Sequence, residues 1–347
     1  MAGRVFLGVD IGTTSLAAVV VDGRGKVLKT FSKPNPSACD LTRDGRHEQD
    51  AEAILASVNA LIGEAEAFVR AAKREIADIG WTGQMHGVVA VDRDLKPLTP
   101  FVTWRDRRCK PPLLSSGVMA EWRKGKLKGV WRALTIPGFV IARRTGKLTV
   151  DSTFRAAMGP TARLKAFAKW IPATDNSRML GDNQAGVYAA LKLKPGSFVV
   201  NLGTSAQLSQ VVAPGERACM SGPSVDRRPF PGRRRLLCRA SQLGGAPFAK
   251  LRRELGYSWD RMNAEAETNP RIAACVRELV DDLALGADTR KIRTIVGVGN
   301  ALRLNPCLKQ AIERKFHAKC LIPKVEEMAA WGAALHVMDA RKKGTRK

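Results

Sequence analysis

The sequence predicts a duplicated α/β domain with a cleft between the two copies. Three observations predict it. The first is an internal repeat. Phe6-Leu7-Gly8-Val9-Asp10-Ile11-Gly12-Thr13-Thr14-Ser15 and Phe198-Val199-Val200-Asn201-Leu202-Gly203-Thr204-Ser205 share one plan: an apolar strand, a small polar residue, then a Gly-Thr-Ser turn before another strand. The second is that strand-like and helix-like periodicities both recur along the chain. The third is length, since 347 residues can bury two cores.

Taken in order, Val5 to Asp10 and Leu16 to Asp22 read as a hairpin, and Val27 to Phe31 as a third strand. From Glu48 to Arg74 the apolar residues Ile54, Val58, Leu61, Ile62, Ala65, Phe68, Val69 and Ala72 recur at helical spacing, with Asp50 near the start. Strand signals return at Ile76 to Thr82, Val88 to Val91 and Phe101 to Trp104. The stretch from Lys110 to Leu180 is rich in Arg, Lys, Gly and Pro and gives only short apolar segments, so no elements are assigned there. A helix-like stretch follows Ala185, and Lys194-Pro195-Gly196 breaks the chain. The expected domains are residues 1–194 and 195–340, with a basic tail over 341–347. The second half should open with the hairpin Phe198 to Leu202 and Leu208 to Val212. It should continue with helices over 246–255, 272–285, 307–316 and 326–338 and one strand at Thr294 to Val298.

Hydrophobic residues at 45% and charged residues at 26% describe an ordinary globular protein. No apolar run is long enough to span a bilayer, and the first apolar run is too short for a signal peptide. The seven cysteines are scattered without C-x-x-C spacing, so a disulfide framework or zinc site is not expected and a cytoplasmic setting is the default. Net charge is +26, with clusters at Arg227-Arg228 and Arg233-Arg234-Arg235. That balance attracts anions in general. No zinc-finger spacing or RNA-binding signature accompanies it, so nucleic acid is not an expected partner.

Several segments carry phosphate chemistry. A Gly-Thr turn brings backbone N–H groups and hydroxyls close to phosphate oxygens, because glycine has no Cβ in the way. Gly12, Thr13, Thr14 and Ser15 form one such turn, and Gly203, Thr204 and Ser205 the other. Either alone is common hairpin chemistry; the pair, opening two halves, suits a triphosphate. Asp10, just before the first turn, is placed to orient a hydrated magnesium ion. Gly297-Val298-Gly299-Asn300-Ala301 is a strand-to-helix glycine turn suited to a nucleotide base or ribose, or equally a tight structural connection. Gly181-Asp182-Asn183-Gln184-Ala185 reads as a helix cap or as a carboxylate poised to take a sugar hydroxyl proton. Gly83-Gln84-Met85-His86-Gly87 places an amide and an imidazole on a loop, and Trp104-Arg105-Asp106-Arg107 adds an aromatic platform with charges.

These segments together resemble the FGGY carbohydrate kinases, within them most closely the sedoheptulokinases and next the xylulokinases. The resembling motifs also include Glu48-Gln49-Asp50, the run Gly297 to Asn305, and Glu326 to Leu335 with its Gly332-Ala333-Ala334. The resemblance implies the actin-like ATPase (ribonuclease H-like) fold, two α/β domains with mixed central sheets around a cleft. It also implies ATP and Mg2+ as cofactors and a ketose phosphorylated at a terminal hydroxyl, in a monomer or homodimer. Asp182 would be the catalytic base and, with Asp10, serve the metal. Gln84, Met85, His86, Trp104, Asp106, Asn183 and Gln184 would bind the sugar. Gly12, Thr13, Thr14, Ser15, Gly203, Thr204, Ser205, Gly299, Asn300 and Asn305 would bind ATP. The chain departs from the family by being shorter, between Cys109 and Asp182 and again between Leu255 and Ile272. Those departures favour an alternative, a degenerate kinase-fold protein that binds ATP or sugar with little turnover.

Overall fold

The computed structural model describes residues 3–108, 114–125, 127–173, 178–203, 206–241 and 243–344. Contacts among them define two compact units, one running to Ala189 and resuming at Glu327, the other spanning Ala190–Glu326.

In the first unit, β1 (Arg4–Ile11), β2 (Ser15–Asp22) and β3 (Val27–Pro34) run antiparallel in sequence. Their branched apolar residues alternate poorly because the sheet is covered on both faces: Val5 to Val9 and Leu16 to Val21 are all buried. After β4 (Glu48–Gln49), helix α1 (Ala51–Ala71) starts where Asp50 accepts hydrogen bonds from the Glu52 and Ala53 amides. It buries Ile54, Val58, Leu61, Ile62, Ala65 and Val69 along one face, as the spacing predicts. The chain then returns as β5 (Glu75–Gly83), parallel to β1, giving the sheet order β3-β2-β1-β5. Two short ladders, β4 with β7 (Phe101–Val102) and β6 (Val89–Val91) with β8 (Arg132–Leu134), complete the strands of this unit.

Between residues 114 and 180, where no element was expected, four helices form: α2 (Leu114–Lys124), α3 (Ile136–Thr145), α4 (Ser152–Met158) and α5 (Thr161–Lys165). The short apolar segments conceal them. Two of the starts are set by caps, with Thr135 of α3 accepting from the Gly138 amide and Asp151 of α4 from those of Thr153 and Phe154. Residues 178–180 then lie along the free edge of β5. The Trp81 amide donates to Arg178 O at 2.7 Å and the Leu180 amide to Trp81 O at 3.0 Å. Helix α6 (Asp182–Leu193) follows at once.

The second unit carries β9 (Phe198–Leu202), β10 (Ala206–Val212), β11 (Val225–Phe230), β12 (Arg234–Ser241), β13 (Thr294–Val298) and β14 (Lys319–Leu321), in the order β11-β12-β10-β9-β13-β14. Beyond Val212 the sequence suggested a single strand; the structure adds β11, β12 and β14. The first two escape a periodicity search because Arg and Pro interrupt them, which suits an edge hairpin that must resist further pairing. Helices α7 (Ala246–Leu255), α8 (Trp259–Ala264), α9 (Pro270–Ala284), α10 (Asn300–Leu304) and α11 (Pro306–Phe316) pack around this sheet. The repeat read from the sequence extends to topology. β3-β2-β1-β5 and β12-β10-β9-β13 both run antiparallel, antiparallel, then parallel.

The last helix, α12 (Met328–Gly344), departs from the expected boundary. Residues 327–340 were assigned to the second domain, yet α12 packs on β1, β2 and β5 of the first unit. Glycines allow the approach. A Cβ on Gly8 would fall 1.8 Å from Ala330 O, one on Gly80 would fall 2.1 Å from Ala333 O, and one on Gly332 would fall 1.8 Å from Ala185 O. The helix therefore rests on backbone at three points, a contact that sequence order alone does not reveal.

Candidate functional site

In the first unit three parallel segments end side by side. β1 ends in Asp10-Ile11-Gly12, β5 in Gly83-Gln84, and the 178–180 segment in Gly181-Asp182. Open α/β sheets place their chemistry at the carboxyl ends of parallel strands. Here that end gathers Asp10, Asp182 and Glu327, the residue just before α12. The carboxyl of Asp10 lies well above the usual range, first because it is desolvated and then because the charges of Asp182 and Glu327 oppose its ionisation. Its Oδ1 is buried with no hydrogen-bond partner among the described residues. A buried orphan acceptor inside an acidic cluster suits a divalent cation, which would reverse the local electrostatics. No group of three His, Cys, Asp or Glu side chains forms a metal cage among the described residues.

The first Gly-Thr turn is held from behind by a closed amide network. Thr13 Oγ1 donates to Gln84 Oε1 at 3.1 Å and accepts from Trp104 Nε1 at 2.8 Å. Gln84 Nε2 donates to Gln49 Oε1 at 2.8 Å, and Gln49 Nε2 to Thr13 O at 2.8 Å. Asn35 completes the frame, donating from Nδ2 to Gly12 O at 2.9 Å. Gln84 is 2% exposed and Trp104 is 46% exposed. The amide is therefore a buried strut, whereas the indole presents an open face. The residues of the Glu48-Gln49-Asp50 motif divide the work: Gln49 braces the turn, Asp50 caps α1, and Glu48 pairs with Arg108.

The loop after β5 is tied to the helices that the sequence concealed. His86 sits at φ 65°. Its Nδ1 lies 2.8 Å from Ala157 O, and its carbonyl accepts from Ser115 Oγ at 2.6 Å. A non-glycine residue in that region costs energy that the surroundings must offset, a pattern common at functional sites. Met85 packs on Gly181, where an added Cβ would lie 2.4 Å from its sulfur. The turn before Asp182 is fixed by Thr153, which accepts from the Gly181 amide at 2.7 Å and donates to Asp151 Oδ1 at 2.8 Å. Asn183 is half-buried beside Asp182, while Gln184 is fully buried behind it.

Besides the buried Gln84 and Gln184, two further residues expected at the site are spent on the scaffold. Asp106, expected to touch sugar, is 3% exposed. Burial would raise its carboxyl, but hydrogen bonds from the Arg108 side chain and from the His47 and Arg108 amides outweigh that and hold it below the ordinary range. Asn305, expected near adenosine, is 1% exposed. Its Nδ2 donates to Ala301 O at 2.8 Å, and its Oδ1 accepts from Asn263 at 3.4 Å.

In the second unit, glycine turns converge on the carboxyl end of β9. Gly299, at φ 95°, lies where a Cβ would meet Leu202 O at 2.4 Å. The Gly245 amide donates to Gly203 O at 2.9 Å. Asn300 is exposed at the start of α10. Thr204 and Ser205 lie outside the described residues. Sequence reasoning did not single out Glu327, Asn35, Thr153 or Gly245. Signals were available for the last two: a Gly-Gly pair before Pro247, and an Asp-x-Thr cap before a short helix.

The fold is that of the actin-like ATPases, in the form found in sugar kinases. A gluconate kinase structure from Lactobacillus acidophilus superposes with a TM-score of 0.80 at 17% identity, covering 98% of this chain and 90% of that one. Residues 5–142 match the model of the N-terminal domain of the FGGY family of carbohydrate kinases. A glycerol kinase from Allorhizobium ampelinum is 37% identical over 107 residues, which is 30% of this chain and 21% of that protein. An apulose kinase from Pectobacterium atrosepticum is 32% identical over 172 residues, 48% of this chain and 29% of that protein. The matches thus span less than a third of those relatives' own length. Among the described residues no helix is long and apolar enough to cross a membrane.

Proposed function

We propose that the chain catalyses ATP-dependent phosphorylation of a ketose, sedoheptulose-like or xylulose-like, at a terminal hydroxyl. The observation that carries this reading is the carboxylate cluster of Asp10, Asp182 and Glu327 at the ends of three parallel segments, beside a braced Gly-Thr turn. Asp182 takes the proton of the sugar hydroxyl, and the resulting oxygen nucleophile attacks the γ-phosphorus. ADP leaves in line, and a sugar phosphate is released. Asp10 and Asp182 would hold Mg2+, which would supply charge neutralisation to the phosphates when bound with ATP. The open face of Trp104, with His86 and Asn183, positions the polyol. Gly12 to Ser15 cradle phosphate, as do Gly203 to Ser205. Gly299 and Asn300, in a second unit of FGGY C-terminal type, approach the adenosine. Asp106 and Asn305 support this machinery from the scaffold.

Ketose specificity rests on the sequence resemblance and on the apulose kinase among the relatives. The test is ADP formation across a panel of ketoses and polyols with Mg·ATP. Asp182→Asn should lower sugar-dependent turnover by roughly 10²–10⁴-fold while leaving ATP binding in place. A second reading, a degenerate protein that binds ATP or sugar with little turnover, is favoured by the small share of its relatives that the chain matches. ATP binding without turnover on any member of the panel would select it.

A further inference from the structure

The outer edge of β5 is paired with another segment only around Trp81. Alongside the rest of it lies a cavity of about 690 Å³, bounded by the strand, by α3 and by residues 147–149. Volumes of this order suit a small organic ligand. Ile76, Ile79 and Leu148 line it and are left half-buried, giving the cavity an apolar wall against Trp81.

The unpaired edge looks at first like an acceptor for an added strand, but its backbone groups are already occupied. The Ile79 amide donates to Asp78 Oδ1 at 2.9 Å, and Ala77 O accepts from Arg341 Nη2 at 3.2 Å. A charged side chain folded onto an edge blocks strand addition. What remains open is the side-chain-lined space.

Its polar groups favour an anion. Of the two acids on the wall, Asp78 is paired with both Arg178 at 2.8 Å and Arg341 at 2.9 Å, and Glu66 faces Arg70 at 3.9 Å. Lys147 is exposed on the rim and enters no ion pair recorded among the described residues. Thr149, only 6% exposed, lines the cavity, and its hydroxyl has no hydrogen-bond partner among the described residues. A buried hydroxyl without a partner costs free energy that a ligand acceptor would recover.

We propose that this cavity binds an amphipathic anion: an aromatic or aliphatic body against Ile79, Leu148 and Trp81, with a sulfonate, carboxylate or phosphate toward Lys147 and Thr149. The site is separate from the Asp10 cluster and does not depend on the kinase reading.

The probe is 8-anilinonaphthalene-1-sulfonate, titrated into the full chain and followed by its fluorescence and by energy transfer from tryptophan. Saturable binding at one site is expected, with transfer reduced in Trp81→Phe. Lys147→Glu and Thr149→Val should each weaken it by roughly tenfold, the loss of one charge-assisted hydrogen bond. Leu148→Trp should fill the space and abolish binding. Lys147→Glu changes an exposed side chain and Thr149→Val is nearly isosteric, so these two decide the matter if Leu148→Trp fails to fold. Inorganic sulfate should not compete, because it lacks the apolar body. Binding unchanged in both Lys147→Glu and Thr149→Val would overturn the proposal, as would full displacement by sulfate. Either result would reduce the interaction to the general attraction of a +26 chain for anions.

Discussion

Replacing Gly332 by alanine should destabilise the protein, although the same change at an unobstructed helix position stabilises. In a free helix, Gly→Ala gains about 1 kcal/mol. At Gly332 the new methyl would sit 1.8 Å from Ala185 O and 2.5 Å from Ala185 C. Real Cβ contacts stay beyond 3.0 Å, so α12 and the start of α6 must separate by more than about 1 Å, and neither side is a flexible side chain. Overpacking of this kind costs typically 1–3 kcal/mol, and backbone on both sides puts it at the upper end. Set against the propensity gain, the net is a loss of about 2 kcal/mol. Because α12 begins just after Glu327 and Ala185 lies in the first turn after Asp182, sugar-dependent turnover should fall with stability. The assay is urea unfolding of Gly332→Ala beside Gly63→Ala and Gly186→Ala. An added Cβ meets nothing within 4 Å at either control position, so both should gain stability. A Gly332→Ala protein as stable as the controls would refute the close packing of α12 against α6.

Further outcomes follow from the acidic cluster and its supports. Asp10→Asn should abolish turnover yet raise the melting temperature of the ligand-free protein at neutral pH. Burial and the charges of Asp182 and Glu327 raise the folded-state pKa of Asp10 above its unfolded value. Its contribution to stability is therefore intact below the unfolded pKa and is lost as pH rises through the folded one. The stabilisation by asparagine should accordingly grow with pH across that window and vanish in acid. Melting curves from pH 4 to 8 check this, and a melting temperature lowered at pH 7 would contradict it. Thr153→Val removes the acceptor for the Gly181 amide and leaves that buried donor unpaired, at a cost of about 1–3 kcal/mol. Since that amide precedes Asp182, kcat should fall more than KM rises, whereas Thr153→Ser should retain both.

Much of this protein is written locally. The apolar runs, the helical spacing after the Asp50 cap and the Gly-Thr-Ser repeat identify β1, β2, α1, β9 and their turns, because hairpins and amphipathic helices are decided by neighbours a few residues apart. The same residues point to phosphate chemistry at Asp10 and Gly12 to Ser15 and to a carboxylate at Asp182. What the sequence left open depends on contacts across long separations. Helices α3 and α4 are started by the Thr135 and Asp151 caps, and α3 packs on β5 and α2 on α4, contacts that periodicity does not show. Nothing local says that α12 belongs with β1 and β5; backbone-to-backbone contact at Gly8, Gly80 and Gly332 decides it. Asp106 and Asp10 are both carboxylates beside a predicted loop, and composition cannot separate them. The fold does so by giving Asp106 an arginine and two amides while giving Asp10 two neighbouring acids and an oxygen with no partner. A side chain becomes strut or site according to which charges and donors the tertiary structure brings within reach. That information lies in the partners, which, apart from Arg108 two positions from Asp106, are tens to hundreds of residues away.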